Sequence, residues 1–563
     1  MILSVLGSCE KNYLKSDSDN SGNESSDDTS VHEDDSDYVW DNNNVVTITL
    51  NTSSITSDGE GVSISGTKAT ITAPGNYNIS GTLSDGQIIV NSETDSITRI
   101  ILDGVDITCS NSAPIFIKKA DKVIVVLKDN TQNTLTDGSS YAGQTDNEPN
   151  ATLFCKSDLS FFGNGTLTVN GNYADGITSK DGLIIKSGTI NVKALDDGIR
   201  GKDYLIIHDG NLTINSGDDG LKSDNETNTS LGYIAIDSCY ANITSGGDAI
   251  TAQTSLNITN GTFLLTSGGG SSHSASYSTS SKGIKGIVSL QIAGGTYTIN
   301  SSDDGIHSNG EIEINGGTIG ISTSDDGIHA DASVTINDGD ITVTKSYEAI
   351  ESPYITVNSG NINLMASNDG FNATKGTVKG GTEANDNSCL YINGGTIATS
   401  CSNGDAIDSN GNLEITSGII VANGPSSGVE EAVDFNGSFK MNGGIFIGAG
   451  SDSHMTKSMS SSSTQKNLFL TTTSKISSST LLHIQDSNGN DILTFLPKYG
   501  GYKFLFSSPE LKSGETYSIY TGGSYSEGDS YNGLYTGGLY ISSGSARKSF
   551  TLSSSGSVTN VSF

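Results

Sequence analysis

Positive charge, proline and hydrophobic residues are all scarce in this 563-residue chain. Lys and Arg number 29 against 63 Asp and Glu, which gives a formal net charge of −34. This balance argues against nucleic-acid binding and against docking on anionic lipid, because both depend on Lys and Arg; it is compatible with binding cations. Hydrophobic residues make up 33% of the chain, and no apolar run approaches the roughly 18 residues of a membrane span.

Glycine and small polar residues take the place of the missing types. The chain has 69 Gly but only 7 Pro, so it is neither collagen-like nor a proline-rich linker protein. Charged residues make up 16%, which is low for a charged disordered chain. Ser, Thr, Asn, Asp and Gly are the residues of turns and of polar sheet faces.

The first residues of the chain resemble a lipid-attachment site. Leu6-Gly7-Ser8-Cys9 is similar to the lipobox of bacterial lipoproteins, in which the Cys becomes the lipidated first residue. Residues 1–9 then form the remnant of a signal segment, shorter than a normal signal peptide and without Lys or Arg. The alternative is a buried Cys near a ragged terminus.

The segment 10–44 is acidic and nearly free of apolar residues. Eleven acids lie between positions 10 and 41, against Lys11 and Lys15. Such a segment cannot bury a core and is predicted to be a disordered tether. A tether after a lipid-attachment site holds a domain off a membrane, so we expect an exported protein, lipid-anchored at the bacterial cell surface or outer membrane.

An internal repeat predicts the architecture. Asp-Asp-Gly-Ile/Leu recurs at 196–199, 218–221, 303–306 and 325–328, with 22 residues from Asp175 to Asp197 and again to Asp219. Between copies, apolar residues alternate with polar ones at the period of two that is typical of strands. Three short strands and three turns in 22 residues predict an all-β fold, a parallel β-helix with about 22 residues per coil. A β-propeller, with about 40–45 residues per blade, fits this period poorly.

The remaining segments follow from this period. Residues 45–149 are predicted to form an N-terminal cap and the first coils, and residues 150–454 the regular repeats. Residues 455–466 form a Ser-rich linker and residues 467–563 a small C-terminal β-rich domain or cap. Five cysteines beyond Cys9 show neither zinc-site spacing nor a disulfide pattern, so they are expected to be small core residues; these are Cys109, Cys155, Cys239, Cys389 and Cys401.

The paired aspartates are candidate calcium ligands. Equivalent residues of successive coils stack at about 4.8 Å, and carboxylates packed that closely repel one another unless a cation intervenes. Calcium accepts six to eight oxygens, so two or more Ca²⁺ sites are predicted. The candidates are Asp196, Asp197, Asp218, Asp219, Asp303, Asp304, Asp325 and Asp326. The alternative is a turn ladder in which these side chains cap backbone N–H groups.

The third residue after the second Asp of each repeat forms a predicted polar ridge. It is basic in its first part and acidic in its second, and comprises Arg200, Lys222, Thr251, Lys285, His307, His329, Glu351, Asn372, Asp408 and Asp434. A linear repetitive ligand suits such a surface. Basic residues would pair with uronate carboxylates, and the acidic end could do so only through bridging calcium. The candidate ligand-binding residues are Arg200, Lys202, Lys222, Lys285, His307 and His329; alternatively, the ridge residues are merely solvent-facing turn residues.

Catalysis is the competing interpretation. Paired carboxylates on a β-helix suggest a polygalacturonase-type hydrolase, but here the pair recurs four times and no Asn-Thr-Asp or Gly-His-Gly element accompanies it. A calcium-dependent pectate lyase would need a Lys or Arg base, for which Arg200, Lys202 and Lys222 are the candidates. No catalytic residue is assigned.

Several segments match a known family in order. Val46–Leu50, Gly75–Leu83, Ile101–Val105, Asp196–Asp203 and Tyr502–Tyr520 resemble bacterial carbohydrate-binding-domain proteins of the right-handed β-helix type. The resemblance covers nearly everything from residue 45 onward. It implies a fold similar to that of pectate lyases, binding of cellulose and polygalacturonate, and calcium held at tight turns by the aspartates named above. Lys282–Lys285 departs from the pattern where an Asp is expected.

Together these features predict a surface-anchored, calcium-binding β-helix that binds an acidic or cell-wall polysaccharide without cleaving it. The alternatives are a calcium-dependent polysaccharide lyase and a structural adhesin or spacer. The expected partner is a polysaccharide, with no nucleic acid, a membrane contact only through the lipid anchor, and a monomeric state.

Overall fold

A computed structural model describes residues 32–41, 43–274, 278–376 and 384–563. The described chain is all-β apart from a short 3-10 helix at Asp35–Tyr38, and its two large sheets consist mainly of parallel strands. Cys9 and residues 10–31 lie outside the described residues. Among the described residues, no helix has both the length and the hydrophobicity of a membrane span.

Short parallel strands form the first face of the repeats, a sheet of sixteen described strands. Their bounds are Val62–Ser65, Lys68–Ile71, Gln87–Asn91, Ile115–Lys119, Ala151–Cys155, Asp175–Ser179, Ile199–Gly201, Leu221–Ser223, Ile250–Ala252, Ile284–Gly286, Ile306–Ser308, Ile328–Ala330, Ile350–Ser352, Phe371–Ala373, Ile407–Ser409 and Val433–Phe435. Only the first pair, Val62–Ser65 with Lys68–Ile71, is antiparallel.

Two further ladders of strands are joined through the long strand Thr98–Cys109, which pairs with both. The second face contains Lys122–Leu127, Asp158–Gly163, Gly182–Ile185, Tyr204–Ile207, Tyr233–Ile236, Ser255–Ile258, Ser289–Ile292, Glu311–Ile314, Ser333–Ile336, Tyr354–Val357, Cys389–Ile392, Asn412–Ile415 and Phe439–Met441. The third face contains Val45–Thr52, Ile55–Ser57, Gly75–Leu83, Gln132–Asp137, Thr166–Asn170, Thr189–Lys193, Asn211–Ser216, Tyr240–Ser245, Thr262–Ser267, Thr296–Ser301, Thr318–Thr323, Asp340–Lys345, Asn361–Ala366, Thr396–Cys401, Ile419–Asn423 and Ile445–Gly450.

Alternation of side chains explains both the strands and the core. Asn211–Ser216 is buried at every second residue, so Leu212 and Ile214 point inward while the polar residues between them face outward. The next coil repeats the pattern, with Leu212 opposite Ala241 and Ile214 opposite Ile243. Because identical faces stack in register, one hydrophobic cluster runs through the coils. The five described cysteines are buried, as predicted, and none of them forms a disulfide in the structure.

The region from residue 467 extends the third face with both antiparallel and parallel pairing. Asn467–Ile476, Gly501–Ser507 and Val558–Ser562 join it, and Gly501–Ser507 pairs directly with Ile445–Gly450. A separate six-stranded sheet and a two-stranded sheet follow, built from Leu482–Asp486, Asp491–Phe495, Thr516–Thr521, Asp529–Tyr531, Leu534–Thr536 and Lys548–Thr551, and from Ser524–Ser526 and Leu539–Ile541. A second hydrophobic cluster joins this region to the last coil.

The end of the predicted tether lies against the β-strands. Lys122 Nζ lies 2.5 Å from Asp37 Oδ2, and Lys186 Nζ lies 2.7 Å from Glu33 Oε1. The Asp37 side chain is buried. Lys122 begins one strand of the second face and Lys186 directly follows another, so the segment from His32 contacts the repeats rather than continuing the acidic stretch away from them.

Glycine at position 163 is required by the closeness of neighbouring coils. Gly163 has φ +112°, and a Cβ there would lie 2.2 Å from the carbonyl oxygen of Leu127, its partner on the adjacent strand. Gly143 also has a positive φ, +70°, but a Cβ there would have nothing within 4 Å. We expect Gly143→Ala to cost about 1 kcal/mol for the backbone conformation alone, and Gly163→Ala to cost at least twice as much. Chemical unfolding of both variants measures this, and equal losses would contradict it.

Candidate functional site

A column of buried acids runs along the first face. Each lies two residues before the inward-facing residue of its strand, and the set comprises Asp175, Asp197, Asp219, Asp248, Asp304, Asp326, Glu348, Asp369, Asp405 and Glu431. All ten are less than 9% exposed. Lys282 holds the same position in the coil of Ile284. We call these positions the carboxylate column.

Backbone hydrogen bonds connect successive members of this column. Asp197 Oδ1 accepts from the N–H of Asp219 at 3.2 Å, and Asp304 Oδ1 accepts from the N–H of Asp326 at 3.1 Å. The two partners are 22 residues apart in each case. One oxygen of these side chains therefore caps the next coil, as the turn-ladder alternative predicts, and the other contacts a lysine ammonium.

The predicted polar ridge is a continuous column beside the carboxylates. Arg200 pairs with Lys222, His307 with His329, and Asp408 with Asp434 across adjacent parallel strands. Its members are half-buried or buried, so they are not merely solvent-facing turn residues. Lys202 is outside this column, because it lies two residues beyond Arg200 and past the end of the strand.

The basic part of the ridge is already engaged with acids. Arg200 donates from Nε at 3.0 Å and from Nη2 at 2.6 Å to the two oxygens of Asp224. Lys222 Nζ lies 2.8 Å from Asp219 Oδ2 and 3.1 Å from Asp197 Oδ2. Although burial opposes the charge, these carboxylates raise the pKa of Lys222 above its ordinary value. The positive charges of Arg200 and Lys222 therefore offset negative charge in the carboxylate column and beside it.

The acidic part of the ridge lacks this balance. Glu351 lies beside Glu348 and Asp326, and ligand oxygens of the three lie within 4.8 Å of one another. Burial, a hydrogen bond with Glu348 and its negative charge raise the pKa of Glu351 to about 10. Asn372 Nδ2 donates to Glu348 Oε2 at 2.6 Å, which is a neutral contact and leaves the charge uncompensated.

A second acidic group lies two coils further on. Asp405, Asp408 and Asp434 also place ligand oxygens within 4.8 Å of one another. Burial and the charges of Asp369 and Asp408 raise the pKa of Asp405 to about 9. Lys457 Nζ lies 3.4 Å from Asp434. We call this group and Asp326–Glu348–Glu351 the acidic clusters.

The structure brings together part of the predicted calcium ligands. Asp196, Asp197 and Asp218 form one close group, and Asp303, Asp304 and Asp325 form another. A lysine contacts each group. Lys222 Nζ lies 3.1 Å from Asp197 Oδ2, and Lys282 Nζ lies 2.7 Å from Asp303 Oδ1 and 2.8 Å from Asp304 Oδ2. Asp219 contacts Lys222, and Asp326 belongs to an acidic cluster.

Calcium fits the cluster of Asp326, Glu348 and Glu351 better than it fits the groups that Lys222 and Lys282 contact. Three carboxylates supply up to six oxygens, within the coordination number that Ca²⁺ prefers, and no ammonium lies among the groups of Asp326, Glu348 and Glu351 in the described ion pairs. The repeat predicts Glu351, Asp408 and Asp434 on the ridge, but its spacing does not mark them as metal ligands. The signal was present in the degenerate repeats, where the ridge residue itself is an acid.

The comparisons with known proteins extend over the same coils. Residues 65–327 and 322–370 match the family described as carbohydrate-binding domain-containing protein, which is more than half of the chain. The chain belongs to this carbohydrate-binding-domain family. The matched region of this family member contains the ridge from Arg200 to Glu351 and one acidic cluster, and ends before Asn372 and Asp405.

Two individual relatives were found. A carbohydrate-binding domain-containing protein of Acetivibrio thermocellus is 44% identical over 137 residues, which cover 24% of this chain and 48% of that protein. The chain thus spans about half the length of this curated relative. A solved structure of a polysaccharide lyase-like protein from C. thermocellum, a gadolinium derivative, is 32% identical, covers 48% of this chain and 96% of its own, and gives a TM-score of 0.39.

Proposed function

We propose that this carbohydrate-binding-domain protein binds a linear acidic polysaccharide of the polygalacturonate type along its ridge, without cleaving it, and that calcium links the two. The observation that carries this is the division of charge along one column. The first part of the ridge is neutralised internally, whereas in the second part Glu351 has no ammonium partner among the described ion pairs and Asp434 has only the exposed Lys457. A polyuronate carries a carboxylate on every sugar, so it meets the second part only through a divalent cation.

Calcium would be held by the acidic clusters and would leave ligand positions for the polysaccharide. Asp326, Glu348 and Glu351 provide carboxylate oxygens, and calcium in such a site supplies a positive charge that a uronate carboxylate can share. Along the first part of the ridge, Arg200 and Lys222 keep side chains 18% and 21% exposed. Their outer N–H groups can donate to sugar oxygens while their charge stays with the column.

The lyase alternative is less well supported by the same contacts. A base must give up its proton before it can abstract one. The pKa values of Lys222 and of Arg200 are raised above their ordinary values by the neighbouring aspartates, so both stay protonated at neutral pH. Lys202 lies outside the ridge column. Binding without turnover is therefore the function that these residues favour over catalysis.

The wider biological setting belongs to the same proposal. We propose a right-handed β-helix of about 22 residues per coil, capped by the C-terminal region and displayed as a monomer on the bacterial surface through lipidated Cys9. The acidic segment after Cys9 supports display away from a membrane. A structural spacer with the same fold would show no retention on any polysaccharide.

The test is retention on immobilised polygalacturonate and on cellulose, first with calcium and then with chelator. We expect calcium-dependent retention on polygalacturonate, with no ultraviolet-absorbing unsaturated product in the same samples. Arg200→Ala combined with Lys222→Ala should weaken retention several-fold, because ridge donors are lost. The matched control is Lys118→Ala with Lys119→Ala, two neighbouring lysines on a different strand of the same face.

Each outcome distinguishes one interpretation. Unsaturated product would establish the lyase. Absence of retention on both polysaccharides would leave the spacer. Retention unchanged in the Arg200–Lys222 double variant, with the variant still folded by circular dichroism, would exclude the basic part of the ridge as a binding surface.

A further inference from the structure

We infer that Asp304, His307 and His329 form a binding site for a borderline transition-metal ion such as Zn²⁺, separate from the calcium proposed for the acidic clusters. Two imidazoles and a carboxylate are a donor set typical of zinc, whereas calcium prefers oxygen alone. Several close groups of potential metal ligands occur among the described residues. Of these groups, only this one contains histidine. It lies on the ridge where the basic part meets the acidic part.

The fold itself brings the two imidazoles together. His307 and His329 are paired residues on adjacent parallel strands, and their ring centroids are 5.1 Å apart with the planes at 79°. Both rings turn Nδ1 toward the same carboxylate: the distance to Asp304 Oδ2 is 2.8 Å from His307 and 3.8 Å from His329. Three donors from two coils therefore converge on one point.

The separations suit a small ion. Two ligands of a tetrahedral zinc ion at about 2.0–2.2 Å lie about 3.4 Å from each other. The observed distances lie on either side of this value, so small rotations of the side chains complete the geometry. Three protein ligands leave one position of a tetrahedral zinc ion open to solvent.

A supporting carboxylate is also present. His329 Nε2 lies 3.5 Å from Asp331 Oδ1, on the side of the ring away from Asp304. Metal-binding histidines commonly donate their second ring N–H to a carboxylate, which fixes the tautomer and orients the ring. The His329 side chain is 26% exposed, which gives an ion a path from solvent to a group that is otherwise buried.

Lys282 sets the affinity of this site. Its ammonium shares Asp304 Oδ2 with His307 at 2.8 Å and holds Asp303 Oδ1 at 2.7 Å. A bound metal ion needs Asp304 Oδ2, so the ammonium must shift toward Asp303. The ion would join the coils of His307 and His329, next to the coil in which the carboxylate column carries Lys282 in place of an acid.

The experiment is a titration of the full chain with Co²⁺ alone, followed by its visible absorption, and then with Zn²⁺ by calorimetry. We expect one Co²⁺ with the intense absorption of a tetrahedral nitrogen-containing site, displaced by Zn²⁺ and retained in a large excess of Ca²⁺. His307→Gln and His329→Gln should each weaken binding at least tenfold. His208→Gln is the matched control. His208 also contacts two carboxylates, those of Asp237 at 2.6 Å and Glu33 at 3.0 Å, but it is about a hundred residues away from His307 in the sequence.

Circular dichroism without metal shows whether each variant is folded. Absence of the tetrahedral cobalt absorption in the folded wild-type chain would overturn the proposal, as would equal loss of affinity in the His208 control. Glu348→Gln with Glu351→Gln separates this site from the acidic clusters, since that variant should lose calcium-dependent polysaccharide retention and keep Zn²⁺. Loss of Zn²⁺ binding in that folded variant would also contradict the proposed site.

Discussion

Lys282→Ala is expected to lower the free energy of unfolding by about 3–5 kcal/mol at neutral pH in chelator, because it leaves buried charges without their partner. Lys282 is 13% exposed at its side chain and contacts both Asp303 and Asp304. Asp304 is 3% exposed, and the charges of Lys282 and of the nearby histidines hold its pKa below the ordinary value despite its burial. Removing the ammonium exposes these acids to mutual repulsion.

Calcium should restore part of the lost stability in this variant. The vacated space lies beside Asp303, Asp304 and Asp325, which already form a close group of ligand oxygens. A divalent cation can therefore replace the ammonium there. Thermal and urea unfolding in chelator and in calcium measure both effects.

The control is Lys119→Ala. Lys119 forms a surface ion pair with Glu93 at 3.4 Å, with side chains 54% and 76% exposed, so its loss should cost less than about 1 kcal/mol. Equal effects of the two substitutions would show that Lys282 is not a structural counter-ion. An unstable Lys282→Ala variant that gains nothing from calcium would restrict calcium to other groups.

The second large effect is a fall in stability as pH rises. In chelator, the stability that the protonated buried acids contribute should be complete near pH 4 and should fall by several kcal/mol by pH 8. The pKa of Glu351 is raised to about 10, that of Asp405 to about 9 and that of Asp369 to about 7, in each case first by burial and then by neighbouring acids. These groups keep protons in the folded state that they release on unfolding.

The sign follows from this difference. When the folded state binds more protons than the unfolded state, the free energy of unfolding decreases as pH rises, by about 1.4 kcal/mol per pH unit for each such group. The loss of stability begins above about pH 4–4.5, the pKa of Asp and Glu in the unfolded chain. It continues until the pH reaches the raised pKa of each group in the folded chain. Calcium competes with these protons, so it should raise the unfolding temperature strongly at pH 8 and little at pH 5.

Glu348→Gln with Glu351→Gln should flatten this pH dependence. The variant removes two adjacent acids without changing their volume, so it should be more stable than the wild type at pH 8 in chelator. Asp340→Asn, at an exposed position of the third face, is the control and should change little. A wild-type chain equally stable at pH 5 and pH 8 in chelator would contradict the expected burial of uncompensated acids.

The repeat alone determined the all-β, parallel-strand organisation and the existence of the ridge. A 22-residue step with aliphatic residues at alternating positions leaves one way to bury Leu212 and Ile214, which is to stack them on the same residues of the next coil. Once the coils stack in register, the third residue after each Asp forms a column. The ridge from Arg200 to Asp434 can therefore be predicted from the spacing of the repeat. The family resemblance pointed in the same direction.

Only the tertiary structure decided how the charges are shared. The guanidinium of Arg200 pairs with Asp224, and Lys222 contacts Asp197 in the preceding coil. Which partners pair depends on side-chain rotamers and on the distance between coils, and the repeat specifies neither. The contact of Lys186 with Glu33 joins residues 153 apart and follows no period. The aspartates were recognisable from their spacing, but which of them stay without a cation was settled by where each lysine could reach, because a buried charge is stabilised by a partner at contact distance.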